Sequence, residues 1–494
     1  MLSVRPSRAV ATPQVREKRQ ILCQPGRRGP PNLRPRPLKE TGREKCSSSA
    51  FPFCSGIPMP QTNNRGFSAV LNNRHFLFLW GAQILSQTAM NGIHFTQMVL
   101  IEKLTRSSAQ LGIVIMAWSL PAVLFSAVAG VVVDRFPNKR ILVTSNVLRI
   151  LTASSYILVL RTLEGHPLLL AIYTITFIAS AIGQFFSPAE AATIPLLVNH
   201  QYLLAANSLF SLTLTASAVV GLMLLGPLGI KLLGVESSFA AIAVIYIGAA
   251  ILVALLPKDN PHPARNSHAS SAIKRAWAEV REGWRFVGPH RPVLAALSRV
   301  TLVATLGLIM AMLVPGFAAR VLGMNPEDAV YIFAPAGLGL VLATYLVGRF
   351  GYLVEREILI NTGVGIMVLT LIALGLVSHG HRTLSTPLFE TYPQATVSPT
   401  TAVMGLAAFL GFSIALVNIP AQTTLQERTP LEVRGRVFAV QFLVANVAGL
   451  PPTLFIGTLA DRIGIPRVIL LVAGGVAIAG GLGTYFALTR NRSD

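Results

Sequence analysis

Apolar residues form long runs along most of the chain, and short polar or charged stretches separate them. A helix of about 20 apolar residues crosses the hydrocarbon core of a bilayer. The short alternating strands of a transmembrane β-barrel are not the pattern here. We therefore predict an all-α integral membrane protein. Twelve transmembrane helices are predicted, at about 77–99, 109–133, 141–161, 167–187, 205–226, 237–256, 293–316, 327–348, 358–378, 401–421, 437–458 and 468–488.

The last six runs echo the first six. FSPAEAATIPLLV follows the fourth run and NIPAQTTLQERTP follows the tenth, with Pro188-Ala189 and Pro420-Ala421 separated by 232 residues. Two six-helix pseudo-repeats joined by a long loop are the layout of transporters built from parallel repeats. We predict an N-terminal half over 76–256, a linker over 257–292, a C-terminal half over 293–489 and a tail over 490–494.

The linker contains AIKRAWAEVREGWRF, whose apolar residues fall mostly on one helical face. Its basic and aromatic content predicts an amphipathic helix at the membrane surface. Loops on the linker side carry more Lys and Arg than loops on the opposite side, even without residues 1–75. By the positive-inside rule, both chain ends and the linker are predicted to be cytoplasmic.

Composition supports a membrane protein, because only 12% of the residues are charged and soluble domains carry roughly 25%. The net charge of +21 lies largely in a basic, Pro- and Arg-rich tail over 1–75, which holds 14 Lys/Arg and 3 Asp/Glu. It therefore does not indicate a nucleic-acid partner. We expect the tail to lack a folded core. Three interpretations stay open: a targeting peptide over 1–58, an arm on anionic lipid, or a true start at Met59.

A charged motif, GVVVDRFPNKR, follows the second run over 130–140. Its glycine allows close helix approach, and its aspartate can lie against the N-terminus of a neighbouring helix. The same letters return as GTLADRIGIPR over 457–467, but after an odd-numbered run and therefore on the outer face. We expect this second copy only to end a helix, so that Asp134→Asn impairs transport far more than Asp461→Asn.

On these motifs the chain resembles the major facilitator superfamily, in its macrolide-efflux and enterobactin-exporter-like branch, over about residues 70–490. The stretches VREGWRFVGPHRPVLAAL and LQERTPLEVRGRVFAV add to the resemblance. The resemblance implies the major facilitator fold, with the eleventh helix beside the aspartate of the motif. Cytoplasmic gating contacts are then expected across the halves, with positive-inside charges as the simpler alternative. The gating candidates are Gly130, Asp134, Arg135, Lys139, Arg140, Glu427, Glu432, Arg434 and Arg436.

Polar side chains inside spans are costly and indicate function by default. The first span carries Gln83, Gln87, Asn91, His94 and Gln97 on one helical face. We expect this stripe to bind substrate, together with Arg149 in the third span; helix-packing hydrogen bonds are the alternative. His94 is also a candidate proton carrier.

Apart from Glu327 and Asp328 at the outer start of the eighth, the predicted spans contain no Asp or Glu, although the proton-coupled members that this chain resembles usually carry an acid within a span. Glu190, just past the fourth run, is expected to cap a helix or pair with a base. Proton coupling, a cycle based on His94, and facilitated diffusion therefore all stay open.

These features predict a secondary transporter that exports a lipophilic or amphipathic small molecule by alternating access. The expected partners are that substrate, the lipid bilayer and, as a candidate coupling ion, protons; a monomer is expected. The alternatives are an uptake or lysolipid-translocating facilitator, and a receptor or scaffold without transport. No enzyme activity, metal or cofactor is predicted. The expected location is the cell membrane, or an organellar envelope if residues 1–58 are a targeting peptide.

Overall fold

The computed structural model describes residues 65–258, 269–383 and 398–488. These residues form helices joined by short connections, with no strand among them. Of the predicted tail, residues 1–64 lie outside the described residues. Its last residues differ from the expectation, because helix α1 occupies Arg65–Leu71 and α2 begins at Arg74.

The helices follow the predicted order. In the N-terminal half they are α2 (Arg74–Thr105), α3 (Ser108–Arg135), α4 (Asn138–Thr162), α5 (Gly165–Leu197), α6 (Leu203–Val219) and α7 (Gly226–Ala254). The linker helix is α8 (Ala269–Val287). In the C-terminal half they are α9 (Arg291–Arg320), α10 (Ala329–Phe350), α11 (Arg356–Thr383), α12 (Pro399–Arg428), α13 (Leu431–Ile463) and α14 (Ile465–Leu488).

The break between the fifth and sixth predicted spans lies within the predicted connection over 227–236, and helix continues into that connection from the fifth span. A π-helical segment, Val220–Leu225, joins α6 to α7 without interruption. The chain turns only at Gly234, whose φ of 82° suits glycine. In the described chain, nine segments are long and apolar enough to cross a membrane, and the longest, His200–Ala254, has 55 residues. At 1.5 Å per residue that is roughly 80 Å, enough for two crossings.

The two halves pack their helices in the same pairs. In the N-terminal half α3 and α4 both pack on α5, and α4 also packs on α7. In the C-terminal half α10 and α11 both pack on α12, and α11 also packs on α14. This agreement supports the six-plus-six repeat. The halves contact each other chiefly through α3 and α13.

Small residues set the distance between α10 and α12. A Cβ on Gly411 would lie 1.8 Å from the carbonyl oxygen of Ala336, so only glycine fits the position. Helices in lipid rely on such close backbone contact, since hydrocarbon gives no hydrophobic drive for their association.

We expect Gly411→Val to lower the melting temperature of the detergent-purified protein, because α10 and α12 must separate. Overpacking of this kind costs about 1–3 kcal/mol. Gly405→Val is the matched control, since that glycine lies on the same helix with no atom within 4 Å of an added Cβ. Equal melting shifts for both variants would contradict the packing account.

Candidate functional site

The cytoplasmic motif lies at the junction of α3 and α4. Following the predicted orientation, we name the Arg135 end of α3 cytoplasmic and its Ser108 end outer. Asp134, Arg135 and Arg140 are exposed, and the Lys139 ammonium donates to the carbonyl oxygen of Leu256 at the end of α7. Among the described residues, no atom of another helix comes within 4 Å of a Cβ placed on Gly130. The glycine therefore makes no close helix contact in this conformation.

The predicted acidic partners bind elsewhere. Glu427 accepts two hydrogen bonds from Arg356, at 2.6 and 3.0 Å, within the C-terminal half. Arg436 pairs with Glu282 of the linker helix at 2.5 Å, and Arg434 donates to the backbone oxygen of Gln426 at 2.9 Å. Glu432 is exposed. The structure thus gives Glu427, Arg434 and Arg436 partners outside the motif over 130–140.

The second copy of the motif forms the contact that was expected of the first. Asp461, near the end of α13, accepts hydrogen bonds from the Ser107 hydroxyl at 2.6 Å, the Ser108 amide at 2.7 Å and the Ala109 amide at 3.0 Å. A carboxylate at the start of α3 satisfies N–H groups that have no partner within the helix and interacts favourably with the helix dipole. The expectation that this copy only ends a helix is therefore wrong.

Arg320, at the end of α9, ties this contact to two more groups. Its guanidinium lies 3.1 Å from an Asp461 carboxylate oxygen and 3.1 Å from one of Glu102, at the end of α2. It also donates to the Ser108 hydroxyl. Glu102 is buried with 1% of its side chain exposed, so the arginine supplies the counter-charge that burial of a carboxylate demands.

Gly457, one turn before Asp461, lies against α3, where a Cβ would come within 2.8 Å of the Ser108 carbonyl oxygen. Two further ion pairs cross between the halves at this end: Lys103 with Glu327, at 3.0 Å, and Lys231 with Asp328. We call Glu102, Arg320, Asp461 and the Ser107–Ala109 segment the outer lock. The halves are joined at their outer ends, where sequence reasoning placed no gate.

The stripe on α2 divides into two groups. Gln83 and Gln97 are buried, whereas Gln87, Asn91 and His94 are partly exposed. The Gln97 amide donates to the Tyr156 hydroxyl at 2.5 Å, and its oxygen accepts from the Trp118 indole at 2.8 Å. These bonds link α2 to α3 and α4, as the packing alternative expected. A cavity role remains a proposal for the partly exposed residues.

His94 and Trp118 form a flat aromatic pair. Their rings lie 4.2 Å apart at an interplanar angle of 24°. The hydrogen bond from Trp118 to Gln97 holds the indole in this position. Sequence reasoning missed Trp118, because a single tryptophan in an apolar span has no periodic partner.

Arg149 lies deep in the N-terminal half, with 4% of its surface exposed. Its guanidinium carbon is 4.4 Å from the Phe186 ring centroid and 5.8 Å from that of Tyr246, distances at which a cation is attracted to an aromatic face. Glu190 is also buried, inside α5 rather than beyond it. The expectation that Glu190 caps a helix is therefore wrong.

Nothing in the described residues groups three or more His, Cys, Asp or Glu side chains as a metal site.

A model of the Major Facilitator Superfamily matches residues 79–452. YfiS of Bacillus subtilis, an uncharacterised MFS-type transporter, is 25% identical over 77% of this chain and 85% of its own. Macrolide efflux protein A of Streptococcus pyogenes is 24% identical over 80% of this chain and 92% of its own. The lysophospholipid transporter LplT of Citrobacter koseri is 24% identical, over 82% and 92%.

Among solved structures, a bacterial homologue of the human lysosomal transporter Spinster is similar to this chain. That structure is inward-facing and unoccupied. The TM-score is 0.62 at 14% identity, and the match covers 85% of this chain and 97% of the other. At this identity, the similarity establishes the fold.

We expect Asp461→Ala to loosen the outer lock. Losing a helix-capping carboxylate costs about 1–2 kcal/mol, which raises the open fraction of the outer end roughly ten-fold. The reporter is a cysteine at Thr453, a buried position of α13 facing α3, with Cys23, Cys46 and Cys54 replaced by serine. The measurement is its labelling rate by a membrane-impermeant maleimide.

Glu236→Ala is the matched control for this experiment. Glu236 is an outer carboxylate that pairs with Arg161 inside the N-terminal half, so its loss breaks no contact between halves. Unchanged labelling in Asp461→Ala, or equal acceleration in both variants, would contradict the outer lock.

Proposed function

The chain belongs to the Major Facilitator Superfamily, and from that premise we propose that it exports a lipophilic or amphipathic small molecule by alternating access. It is a multi-pass membrane transporter and not an enzyme.

The observation that carries this proposal is the antiparallel pair formed by α3 and α13. Each helix ends in Gly-x-x-x-Asp-Arg, at 130–135 in α3 and at 457–462 in α13. The α13 copy is engaged at the outer end, whereas Asp134 of the α3 copy is exposed. The Asp461 carboxylate is thus bound across the halves while the Asp134 side chain is exposed, an asymmetry that suits a transporter that closes one end at a time.

The N-terminal ends of α3 and α13 also differ, because a side chain caps the first and not the second. The start of α3 is capped by Ser107 in addition to Asp461. The start of α13 follows Pro430 and has no side-chain cap. Its N–H groups therefore suit the Asp134 carboxylate in a state whose cytoplasmic end is closed. In that state we propose that Arg135, Lys139 and Arg140 meet Glu427 and Glu432, with Arg434 and Arg436 alongside.

Export of a lipophilic molecule is favoured by the likeness to macrolide efflux protein A. Within the chain, the surface proposed to meet the substrate consists of the His94–Trp118 ring pair with Gln87 and Asn91 beside it. Flat rings flanked by amides suit a molecule with a large apolar face and a few polar groups. We further propose that the protein works as a monomer in the bilayer.

We expect cells that express the protein to accumulate less radiolabelled erythromycin than cells with an empty vector. Asp134→Asn and Asp461→Asn should both restore accumulation, which revises the expectation that only the first matters. Glu236→Gln, at an outer surface pair, is the control and should keep export. Unchanged accumulation across a broad panel of lipophilic compounds would contradict export, and full export by Asp461→Asn would contradict the two-ended arrangement.

A second candidate function is translocation of a lysophospholipid, as the name of the Citrobacter relative suggests for that protein. It is favoured by a groove of about 690 Å³ between α3, α4 and α5. Phe125, Phe177 and Phe185 line the groove, and Arg140 lies at its cytoplasmic end. An apolar groove with one cation suits an acyl chain with an anionic headgroup.

Fluorescent lysophosphatidylglycerol in proteoliposomes tests this second function. We expect Arg140→Gln to slow its movement between leaflets at least several-fold if the groove carries the lipid, because the headgroup loses its counter-charge. Arg281→Gln, on the linker helix, is the basic control outside the groove. Lipid movement that is equal in empty liposomes and in proteoliposomes would exclude this function.

A further inference from the structure

The linker helix α8 is fixed on α13 by one of its faces. A Cβ on Gly283 would lie 2.5 Å from the carbonyl oxygen of Arg436, so the two backbones touch at this point. Val287, one turn further along, is fully buried, and Glu282 pairs with Arg436 at 2.5 Å. These contacts hold α8 beside the cytoplasmic start of α13.

The neighbouring face of α8 is open. Trp277 and Trp284, two turns apart, are 67% and 50% exposed. Val280 and Arg281 lie between them, and the spacing of 3, 4 and 7 residues places all four on one side of the helix. Together with α13, this side encloses a crevice of about 410 Å³. The residues of α13 that line the crevice are Val440, Leu443 and Val444.

The two walls of the crevice differ in polarity in the way that a membrane surface does. Helix α13 begins at Leu431, so Val440 and Val444 lie about 14 and 20 Å along it at 1.5 Å per residue. The wall on α13 is apolar and extends toward the hydrocarbon, whereas the wall on α8 carries the two indoles. Tryptophan favours the headgroup level, where its ring is apolar and its N–H stays hydrated. This order of groups matches a phospholipid and not a soluble peptide.

The charge of the crevice indicates which phospholipid fits. Among the residues that the structure describes, no carboxylate pairs with the Arg281 guanidinium, and the neighbouring Glu282 is already bound to Arg436. A guanidinium can donate two parallel hydrogen bonds to a phosphate group. The sequence of α8 also holds four basic side chains against two acidic ones. A basic site at the cytoplasmic surface favours an anionic headgroup over a zwitterionic one.

We propose that this crevice binds one anionic phospholipid of the cytoplasmic leaflet. The phosphate group lies on Arg281, the two indoles flank the glycerol region, and an acyl chain runs along Val440, Leu443 and Val444. The lipid touches both α8 and α13, so it helps to hold the linker helix on the C-terminal half. The crevice shares no lining residue with the groove between α3, α4 and α5. The proposal therefore stands independently of the transported substrate.

The first test measures lipid binding to the purified full chain. Native mass spectra are recorded after addition of either phosphatidylglycerol or phosphatidylcholine with the same acyl chains. We expect the wild type to retain phosphatidylglycerol at a roughly ten-fold lower lipid concentration, the difference that one charge-assisted hydrogen bond supplies. Arg281→Gln should remove this preference. Arg281→Lys should keep most of it, because the positive charge remains.

Arg349→Gln is the matched control. Arg349 is an exposed arginine at the cytoplasmic end of α10, next in sequence to Phe350, whose ring is exposed. Its replacement removes the same charge from the same membrane surface and should leave the lipid preference unchanged. Equal affinity for both lipids in the wild type, or an equal loss of preference in Arg281→Gln and Arg349→Gln, would contradict the proposal.

The second test locates the lipid. The chain has four tryptophans, and replacement of Trp80 and Trp118 by phenylalanine leaves Trp277 and Trp284 as the fluorophores. In phosphatidylcholine liposomes, a small share of brominated phosphatidylglycerol should quench them more than the same share of brominated phosphatidylcholine. Addition of Arg281→Gln should make the two lipids quench equally. Equal quenching before that change, or quenching by neither lipid, as a protein segment seated in the crevice predicts, would overturn the proposal.

Discussion

The contact between the Asp461 carboxylate and the start of α3 is the interaction on which the arrangement of the two halves depends. Besides the ion pairs Lys103–Glu327 and Lys231–Asp328, the remaining contact between the halves is helix packing, whose apolar part lipid tails can replace at little cost. A carboxylate that accepts two backbone N–H groups and one hydroxyl is directional, and lipid offers no substitute. Arg320 then extends this contact to Glu102, so that α2, α3, α9 and α13 are fixed at one point.

At the cytoplasmic end, the linker helix α8 takes part in the contact between the halves. Helix α8 packs on both α13 and α3, and its Glu282 pairs with Arg436 near the start of α13. At the outer end, helix ends of the two halves touch directly, whereas at the cytoplasmic end a third helix lies beside the same pair. Direct closure of the cytoplasmic end therefore requires α8 to shift on one of its neighbours. The linker is thus part of the moving structure as well as a connection between the halves.

The sequence predicted most of the fold, because a membrane makes the length of apolar runs decisive. It ended the fifth span at 226, although helix continues to the turn at Gly234, because hydropathy does not show how far a helix extends past an apolar run. It missed the outer lock for a related reason: Glu102 and Arg320 each read as an ordinary charge at a helix end. Their sequence separation hides the pairing, and only the packing of the two halves brings them together.

The two Gly-x-x-x-Asp-Arg stretches show a second reason why the sequence did not predict a contact between the halves. The count of spans sets Asp461 on the outer face, and on that basis the second stretch was expected only to end a helix. The relevant symmetry belongs to an antiparallel helix pair, in which the C-terminal end of each helix meets the N-terminal end of the other. The predicted position of Glu190, beyond the fourth span, was wrong for a simpler reason. Hydropathy ended that span at the first polar residues, whereas α5 continues to Leu197.

The pairs of Lys103 with Glu327 and Lys231 with Asp328 have a consequence for the surroundings of the protein. Both lysines are about two-fifths exposed, so dissolved ions reach and screen these pairs. The bonds between Asp461 and the helix start are short and directional, and they respond less to salt. The ionic strength of the outer medium therefore acts on one end of the transport cycle, and a saltier exterior makes the outer end easier to open.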